Sequence, residues 1–504
     1  MVMESRINSK NTAVVLILII LFGVLLRFVF SVGIIGSGDF VHLIYSQKAS
    51  VGNFSLTIDD PQTAARIGYV YPVALFYRIF GISEFSMYFY TLIMSAASII
   101  LIYFLGKLFF SRKVGLVSAF FLSFYPLNVN YSTQGYPDLA MAFFAGLAVY
   151  FFFLGEKNNS KGWWLNLLCG ISIGMAVLTK ESGIIIFLFL GLYVLYKIFL
   201  KKEGIKGIKP GYLLIGLGFV LVMLLLMFHN YIVSGDFFLR YKMIDRVYYS
   251  AIKNLYNYHG YKLIERLFIH VPYMMLTNLS NFGFFTIFFI MASAYCIIFR
   301  KKESFPVMLW LTSLFLYLNF GSTSLTNYLP LPGGTPRYFE MLTLPAILLL
   351  GFFVSEADKI ISKFISPFTV IFLLITSVGF IHLNPDRNAV HSERELAKFI
   401  NAQQPLKIYS DGNSKDILDF FTGYRQDIIM YWKGNYPEKG SAEIVKPNEM
   451  FNAYVIVNKH LMNKNPENYE VDYPDAYYGN VPEIWVLLKT IKNKDGDILV
   501  YYAP

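Results

Sequence analysis

The chain has 504 residues, with 43 Lys+Arg against 33 Asp+Glu and a formal net charge of +10. Apolar residues make up 56%, charged residues only 15%, and the mean hydropathy is +0.49, whereas a soluble globular chain is nearer a quarter charged. This balance excludes a disordered chain, a coiled coil and a soluble multi-domain enzyme, and it predicts a polytopic membrane protein. The two cysteines, Cys169 and Cys296, both lie in apolar runs, so neither a disulfide framework nor a thiol metal site is expected.

Apolar runs predict about eleven transmembrane helices, near 12–35, 84–106, 114–131, 137–155, 163–179, 182–200, 211–233, 274–299, 305–320, 338–354 and 366–383. The first run follows Arg6 and Lys10. It is too long for a signal-peptide core and reads as an uncleaved anchor. Loops on the N-terminal side are short and basic, with Lys107/Arg112/Lys113, Lys157/Lys161, Lys197 to Lys209, Arg300/Lys301/Lys302 and Lys359/Lys363. The excess of Lys and Arg places that side in the cytoplasm. The other side has two long segments, about 36–83 and 234–273, and a Gly- and Pro-rich one at 321–337.

An odd number of spans puts the C-terminus outside. Residues 384–504, with 17 acids and 14 bases, are predicted to be a small extracytoplasmic α/β domain following a membrane domain at 1–383. Ser392 and Glu395 have the spacing of a capping box for a helix to about Gln404. Strand-like runs follow at 406–410, 427–432, 453–457, 484–490 and 498–502, with a helix near 414–422. Lys494-Asp495-Gly496-Asp497 is a hairpin turn between the last two. No phosphate-binding loop, dinucleotide fingerprint, zinc spacing or serine elbow is present. No nucleic-acid partner is expected.

Ionisable residues gather at the outer mouths of the spans, where they are costly unless paired or facing water. Asp39 follows the first span and opens an amphipathic stretch containing His42. Arg66 and Tyr71 lie in the first outer segment. Asp138 opens the fourth span. Lys180 and Glu181 form the turn between the fifth and sixth, Arg240 lies in the second long segment, and Arg337-Tyr338 begins the tenth span. Each has a plainer reading. Asp138 could be a helix cap, Lys180–Glu181 a turn pair, and Arg337 an interfacial anchor. Glu340 could pair with Arg337 three residues before it.

The order of these features resembles the GT-C glycosyltransferases, in particular the protein O-mannosyltransferase and lipid A aminoarabinose transferase group. The resemblance rests on "GDFVHLIYSQKASVGNF" after the first span and "ARIGYVYPVALFYRIFG" before the second. It continues through the inner loop "LGKLFFSRKVG", "YPDLAMAFFAGLAVYFF", "GMAVLTKESGIII", "NYIVSGDFFLRY" and "TPRYFEMLTLPAILLLGF". It covers most of residues 10–355. Two departures stand out. Phe40 occupies the place where the family often has a second acid, and His42 the place of an Arg in the aminoarabinose transferases. The tail lacks the WWD-type motif of the oligosaccharyltransferase branch.

The resemblance implies transfer of a sugar from a polyprenyl-phosphate donor to a protein, lipid or glycan acceptor on the outer face of the plasma membrane, with inversion. It implies Asp39 as catalytic base and Asp138 as a second catalytic carboxylate. Arg66, Lys180 and Arg337, with His42 and Arg240, would cradle the phosphate; Glu181, Tyr338 and Tyr71 would line the substrate. It leaves open whether Asp39 acts alone or holds a divalent metal, Mg or Mn; Phe40 beside it favours the metal-free case. A lipid-linked sugar flippase or transporter, and a non-catalytic scaffold, are the competing readings.

Overall fold

The computed structural model describes the chain outside residues 1–8, 159–161, 205–208, 247–264, 266–268, 322–334, 361–364, 433–443, 461–473 and 494–495, and without the side chains of 9, 10, 37–39, 357–360 and 365. Each predicted apolar run falls on helix. The first is α1 (Ser9–Val29). The long segment after it carries α2 (Ser37–Ser50) and α3 (Ile67–Phe80). Next come α4 (Glu84–Phe109), α5 (Arg112–Phe124), α6 (Pro126–Tyr131), α7 (Asp138–Lys157), α8 (Trp163–Thr179), α9 (Ile186–Leu195) and α10 (Leu213–Ser234). Residues 239–246 are helical within the second long segment. Then follow α11 (Val271–Thr277), α12 (Leu279–Phe282), α13 (Phe285–Ile298), α14 (Phe305–Phe320), α15 (Glu340–Ile360) and α16 (Ile365–His382). Among the described residues seven helical segments are long and apolar enough to cross a membrane.

Two runs are broken where a single helix is predicted, each for a local reason. The third breaks at Tyr125, because Pro126 has no N–H to give to the Leu122 carbonyl. The eighth falls into α11, α12 and α13. Asn278 ends α11 and caps α12 by accepting from the Asn281 N–H, and Gly283 leaves α12 at a φ of +54°.

The helix α8 runs between α7 and α10. Its glycines let the backbones meet as small residues do between membrane helices. A Cβ on Gly170 would lie 2.0 Å from the Ile215 carbonyl oxygen, and one on Gly218 of α10 2.4 Å from that of Leu167. This crossing fixes where the C-terminal end of α8 emerges.

The C-terminal residues form α17 (His391–Asn401), β1 (Lys407–Asp411), α18 (Gly412–Phe421), β2 (Ile428–Trp432), β3 (Ala453–Asn458), β4 (Val486–Ile491) and β5 (Ile498–Ala503). The sheet order is β2-β1-β3-β5-β4, with the first three strands parallel and the last two pairings antiparallel. All five predicted strands and both helices are present. The predicted capping box is not made: α17 starts two residues too early, with Val390 and not Ser392 as its cap. Ser392 is therefore inside the helix, while Glu395 lies 4.0 Å from Lys489. The β4–β5 hairpin forms; Lys494 and Asp495 of its turn lie outside the described residues.

This unit rests on the helix bundle. Ile417 and Phe420 of α18 join the apolar cluster of Phe40, Leu43, Tyr69 and Met87 from α2, α3 and α4. Arg387 donates to the Val29 carbonyl, and Arg394 grips Glu84 through two bonds, 3.1 and 2.8 Å. The sheet therefore sits at the face of the bundle where α1 ends and α4 begins.

Gly170→Val should lower the thermal stability of the purified protein by about 1–3 kcal/mol, read from unfolding in detergent. Gly216→Val should be close to neutral, since nothing lies within 4 Å of a Cβ there.

Candidate functional site

The sheet-bearing face collects the charged residues singled out in the sequence. Lys180 follows the last residue of α8 and turns back over α7, where its Nζ meets Asp138 Oδ1 at 2.5 Å. Asp138 is the first residue of α7, Pro137 is the cap residue, and no side chain caps the helix. The carboxylate thus spends itself on cations and not on the helix end. Its other oxygen faces Arg337 Nε at 4.0 Å. The Arg337 guanidinium lies over the Tyr136 ring at 4.0 Å and near Tyr338 at 5.6 Å, and Lys180 lies 4.3 Å from the Tyr338 ring centre.

One residue on, Glu181 faces the other way. Arg66, which precedes α3, binds it through Nε at 3.1 Å and Nη2 at 2.5 Å, a fork geometry. Arg240 approaches the same carboxylate at 3.5 Å and donates to the Val177 carbonyl at 2.7 Å. Lys180 and Glu181 are therefore not a turn pair; each serves a different partner. The close seat of α3 depends on Gly68, whose Cβ would lie 2.7 Å from the Thr179 nitrogen.

Asp138, Arg240, Arg66 and Lys180 are 1%, 2%, 7% and 8% exposed. Removing one partner of such a pair strands a buried charge, at a cost of about 3–5 kcal/mol. The group holds four cations against two carboxylates. The Nε of Arg337 is buried and has no hydrogen-bond partner among the described residues. His42, in α2, is buried against Tyr69. Burial first, then the charges of Arg66 and Arg337, hold its pKa well below the usual imidazole range, so it sits neutral beside the cations.

Asp39 lies in the first turn of α2; its side chain is outside the described residues. Tyr71 stands apart from the charged group. It points from α3 to α10, where its hydroxyl meets His229 Nε2 at 2.7 Å. Glu340 does not pair with Arg337 as the i,i+3 spacing suggests. It turns into the bundle, where Oε2 accepts from Asn128 and Thr343 at 3.3 and 3.1 Å.

Beneath that layer is a residue the sequence reading passed over. Arg27 of α1 is fully buried. It donates to Ser95 Oγ, Asn128 Oδ1, and the Gly23, Leu122 and Ser123 carbonyls. A lone Arg inside an apolar run was the available signal.

The stretch between α1 and α2 is tied down by three hydrogen bonds to two residues. Val32 and Gly33 donate to the Thr133 hydroxyl and carbonyl, and Ile34 donates to Glu84 Oε1, the oxygen that also takes Arg394. Among the described residues no group of three or more His, Cys, Asp and Glu is arranged to hold a metal. Asp138, with both oxygens turned to cations, is a poor ligand for one.

Residues 66–228 match the family model of dolichyl-phosphate-mannose-protein mannosyltransferases. A protein of Aquifex aeolicus (strain VF5), described as uncharacterized, is 25% identical over 288 residues, 56% of this chain and 58% of that protein. The match thus spans little more than half of that relative. Among solved structures, ArnT of Cupriavidus metallidurans bound to undecaprenyl phosphate superposes with a TM-score of 0.58 at 12% identity, over 98% of each chain. The oligosaccharyltransferase of Archaeoglobus fulgidus in the apo form gives 0.57 at 13%, over 91% of this chain and 71% of that one. Its complex with Zn and sulfate gives 0.50 at 14%, over 81% and 61%. The chain has the GT-C fold, a multi-pass helical membrane protein with a small C-terminal sheet.

Glu84→Ala should destabilise the protein more than Arg394→Ala, because it also strands the Ile34 N–H. The double variant should be less stable than wild type by less than the sum of the two, with a coupling of about 1 kcal/mol, read from thermal unfolding.

Proposed function

We propose that this chain is an integral-membrane glycosyltransferase that moves a sugar from a polyprenyl-phosphate donor to a protein, lipid or glycan acceptor. The observation that carries the reading is Arg337. Its buried Nε–H lacks a hydrogen-bond partner among the described residues, beside Lys180 and within a group of four cations and two carboxylates. A phosphate is the ligand that such a group lacks. The matched family's description and the undecaprenyl phosphate bound in the C. metallidurans structure support a lipid-linked donor.

In this reading the acceptor hydroxyl or amine attacks the anomeric carbon as the carbon–oxygen bond to phosphate breaks. The configuration inverts, the lipid phosphate leaves, and Asp39 takes the acceptor proton. Arg337, Lys180, Arg66 and Arg240 hold the charge that grows on the leaving phosphate, while neutral His42 adds polarity without charge. Asp138 binds Lys180, faces Arg337 at 4.0 Å and acts as their positioner, with Tyr338 fixing the same pair from its ring face. Glu181 does the same for Arg66 and Arg240.

Asp39→Asn should retain folding, since Gly36 is the cap of α2 and a first-turn Asn keeps the side-chain shape while giving up only about 0.3–1 kcal/mol of charge–dipole attraction. Its turnover with a prenyl-phosphate sugar should fall about a hundredfold or more, with donor binding kept. Near-normal turnover would remove Asp39 as the base, and loss of wild-type turnover in EDTA would return a metal to it. Arg337→Ala should weaken donor binding by about 1–3 kcal/mol in a folded protein. Lys180→Ala should also destabilise, because it strands Asp138.

We place the enzyme in the plasma membrane with its N-terminus cytoplasmic, the basic loops inside, and residues 384–504 as an extracytoplasmic domain on the catalytic side. Gln404 is exposed, and both native cysteines are buried. Gln404→Cys should label with an impermeant thiol reagent in intact cells; labelling only after lysis would reverse the orientation.

A further inference from the structure

The face opposite the charged site has a cavity of about 380 Å³ where α4, α7, α9 and the start of α10 end together. Its walls carry Glu156 and Lys157 from the end of α7, Lys197, Lys201 and Glu203 after α9, and Lys209 before α10. The chain leaves α9 through a π-helical turn, Tyr196–Leu200, an irregularity frequent at functional sites. That turn carries Lys197 inward, where only 6% of it is exposed.

The charges do not balance. Glu156 already takes three donors, Lys197 at 2.6 Å, the Tyr212 hydroxyl at 2.8 Å and Lys209 at 3.1 Å. Glu203 lies 3.6 Å from Lys197. Lys157 donates to the Leu108 carbonyl, and among the described residues neither Lys157 nor Lys201 faces a carboxylate within 4.0 Å. Four ammonium groups thus line the cavity with two carboxylates. Next to it Phe199, Leu200 and Leu213 are 70%, 73% and 81% exposed, an apolar flank at the same level of α9 and α10. A polar, cationic cavity beside bare apolar helix surface matches a molecule with an anionic head and acyl chains. Basic pockets between transmembrane helices hold lipid headgroups in this way.

We propose that this cavity binds the headgroup of an anionic phospholipid of the adjacent leaflet, its phosphodiester between Lys157 and Lys201 and its chains along α9 and α10. The site is independent of the glycosyltransferase reading and is tested without turnover. The full-length protein in detergent is titrated with phosphatidylglycerol and, separately, phosphatidylcholine, and bound lipid is counted by native mass spectrometry. Phosphatidylglycerol should bind at least about tenfold more tightly. The double variant Lys157→Gln/Lys201→Gln, which keeps Glu156 and its partners, should lose roughly tenfold or more in affinity. Glu203→Gln should tighten binding, a gain that loss of structure would not produce. Arg112→Gln/Lys113→Gln removes equal charge from the same face outside the cavity and should bind as wild type. Equal binding of the two lipids would overturn the proposal. So would unchanged binding in the Lys157/Lys201 variant, equal loss in the Arg112/Lys113 variant, or complete displacement by excess inorganic phosphate, which would mark a soluble-anion site.

Discussion

Asp138 and Lys180 meet at the ends of α7 and α8, almost out of reach of water, and much of the surrounding structure answers the cost of holding them there. Two charges taken from water are tolerated when their remaining bonding capacity is met. Asp138 has a second cation in Arg337, and Lys180 has the ring of Tyr338. The next residue repeats the arrangement with signs exchanged, since Glu181 takes Arg66 in a fork and Arg240 beside it. One two-residue turn therefore ties together α7, α3, the helical stretch at 239–246 and the entrance to α15. Backbone packing helps to place the turn: glycines at the α8–α10 crossing and Gly68 against Thr179 bring the end of α8 close to α10 and α3.

Below this layer a second polar group plays a different part. Pro126 interrupts the helix and strips carbonyls of their partners. Arg27 supplies donors to two of them, at Leu122 and Ser123, and reaches Asn128, which in turn donates to Glu340. Burying a guanidinium inside a membrane bundle is expensive. Here it meets five acceptors and joins α1, α4, α6 and, through Asn128, α15. The broken helix is thus stable only with α1 in place. It explains why Glu340 turns inward and leaves Arg337 free to lie over Tyr136.

What could be read in the sequence follows the range of the forces involved. Apolar runs and alternating strands are local patterns, so each predicted run appears as helix and each predicted strand appears within a few residues. Breaks inside runs depend on single residues such as Pro126 and Gly283, which a hydropathy window averages away. The capping box failed because docking against the bundle sets where α17 begins, and Val390 joins that apolar contact. The gathering of Asp138, Lys180, Glu181, Arg66 and Arg240 could be suspected from their common side of the membrane. Their pairing could not, because neighbours in sequence, Lys180 and Glu181, serve different partners. Tyr71 illustrates the limit: a polar residue in the right segment faces α10 and not the charged group.

If Asp39 is the base, the elements that hold phosphate and the element that carries the base are separate. The cations belong to the ends of α8 and α3, the 239–246 stretch and the start of α15. Asp39 belongs to α2, which is anchored through Phe40 and Leu43 to α18 and through the Ile34–Glu84–Arg394 link to α17. The C-terminal unit thus bears on the base while leaving the phosphate group to the bundle. Proton transfer depends on tenths of an ångström, whereas attraction between a phosphate and several cations changes slowly with distance. A small displacement of the sheet would therefore reach turnover long before it reached donor affinity. With Asp39 as the base, that asymmetry would give the C-terminal unit a physical role in a reaction whose charged groups lie almost wholly outside it.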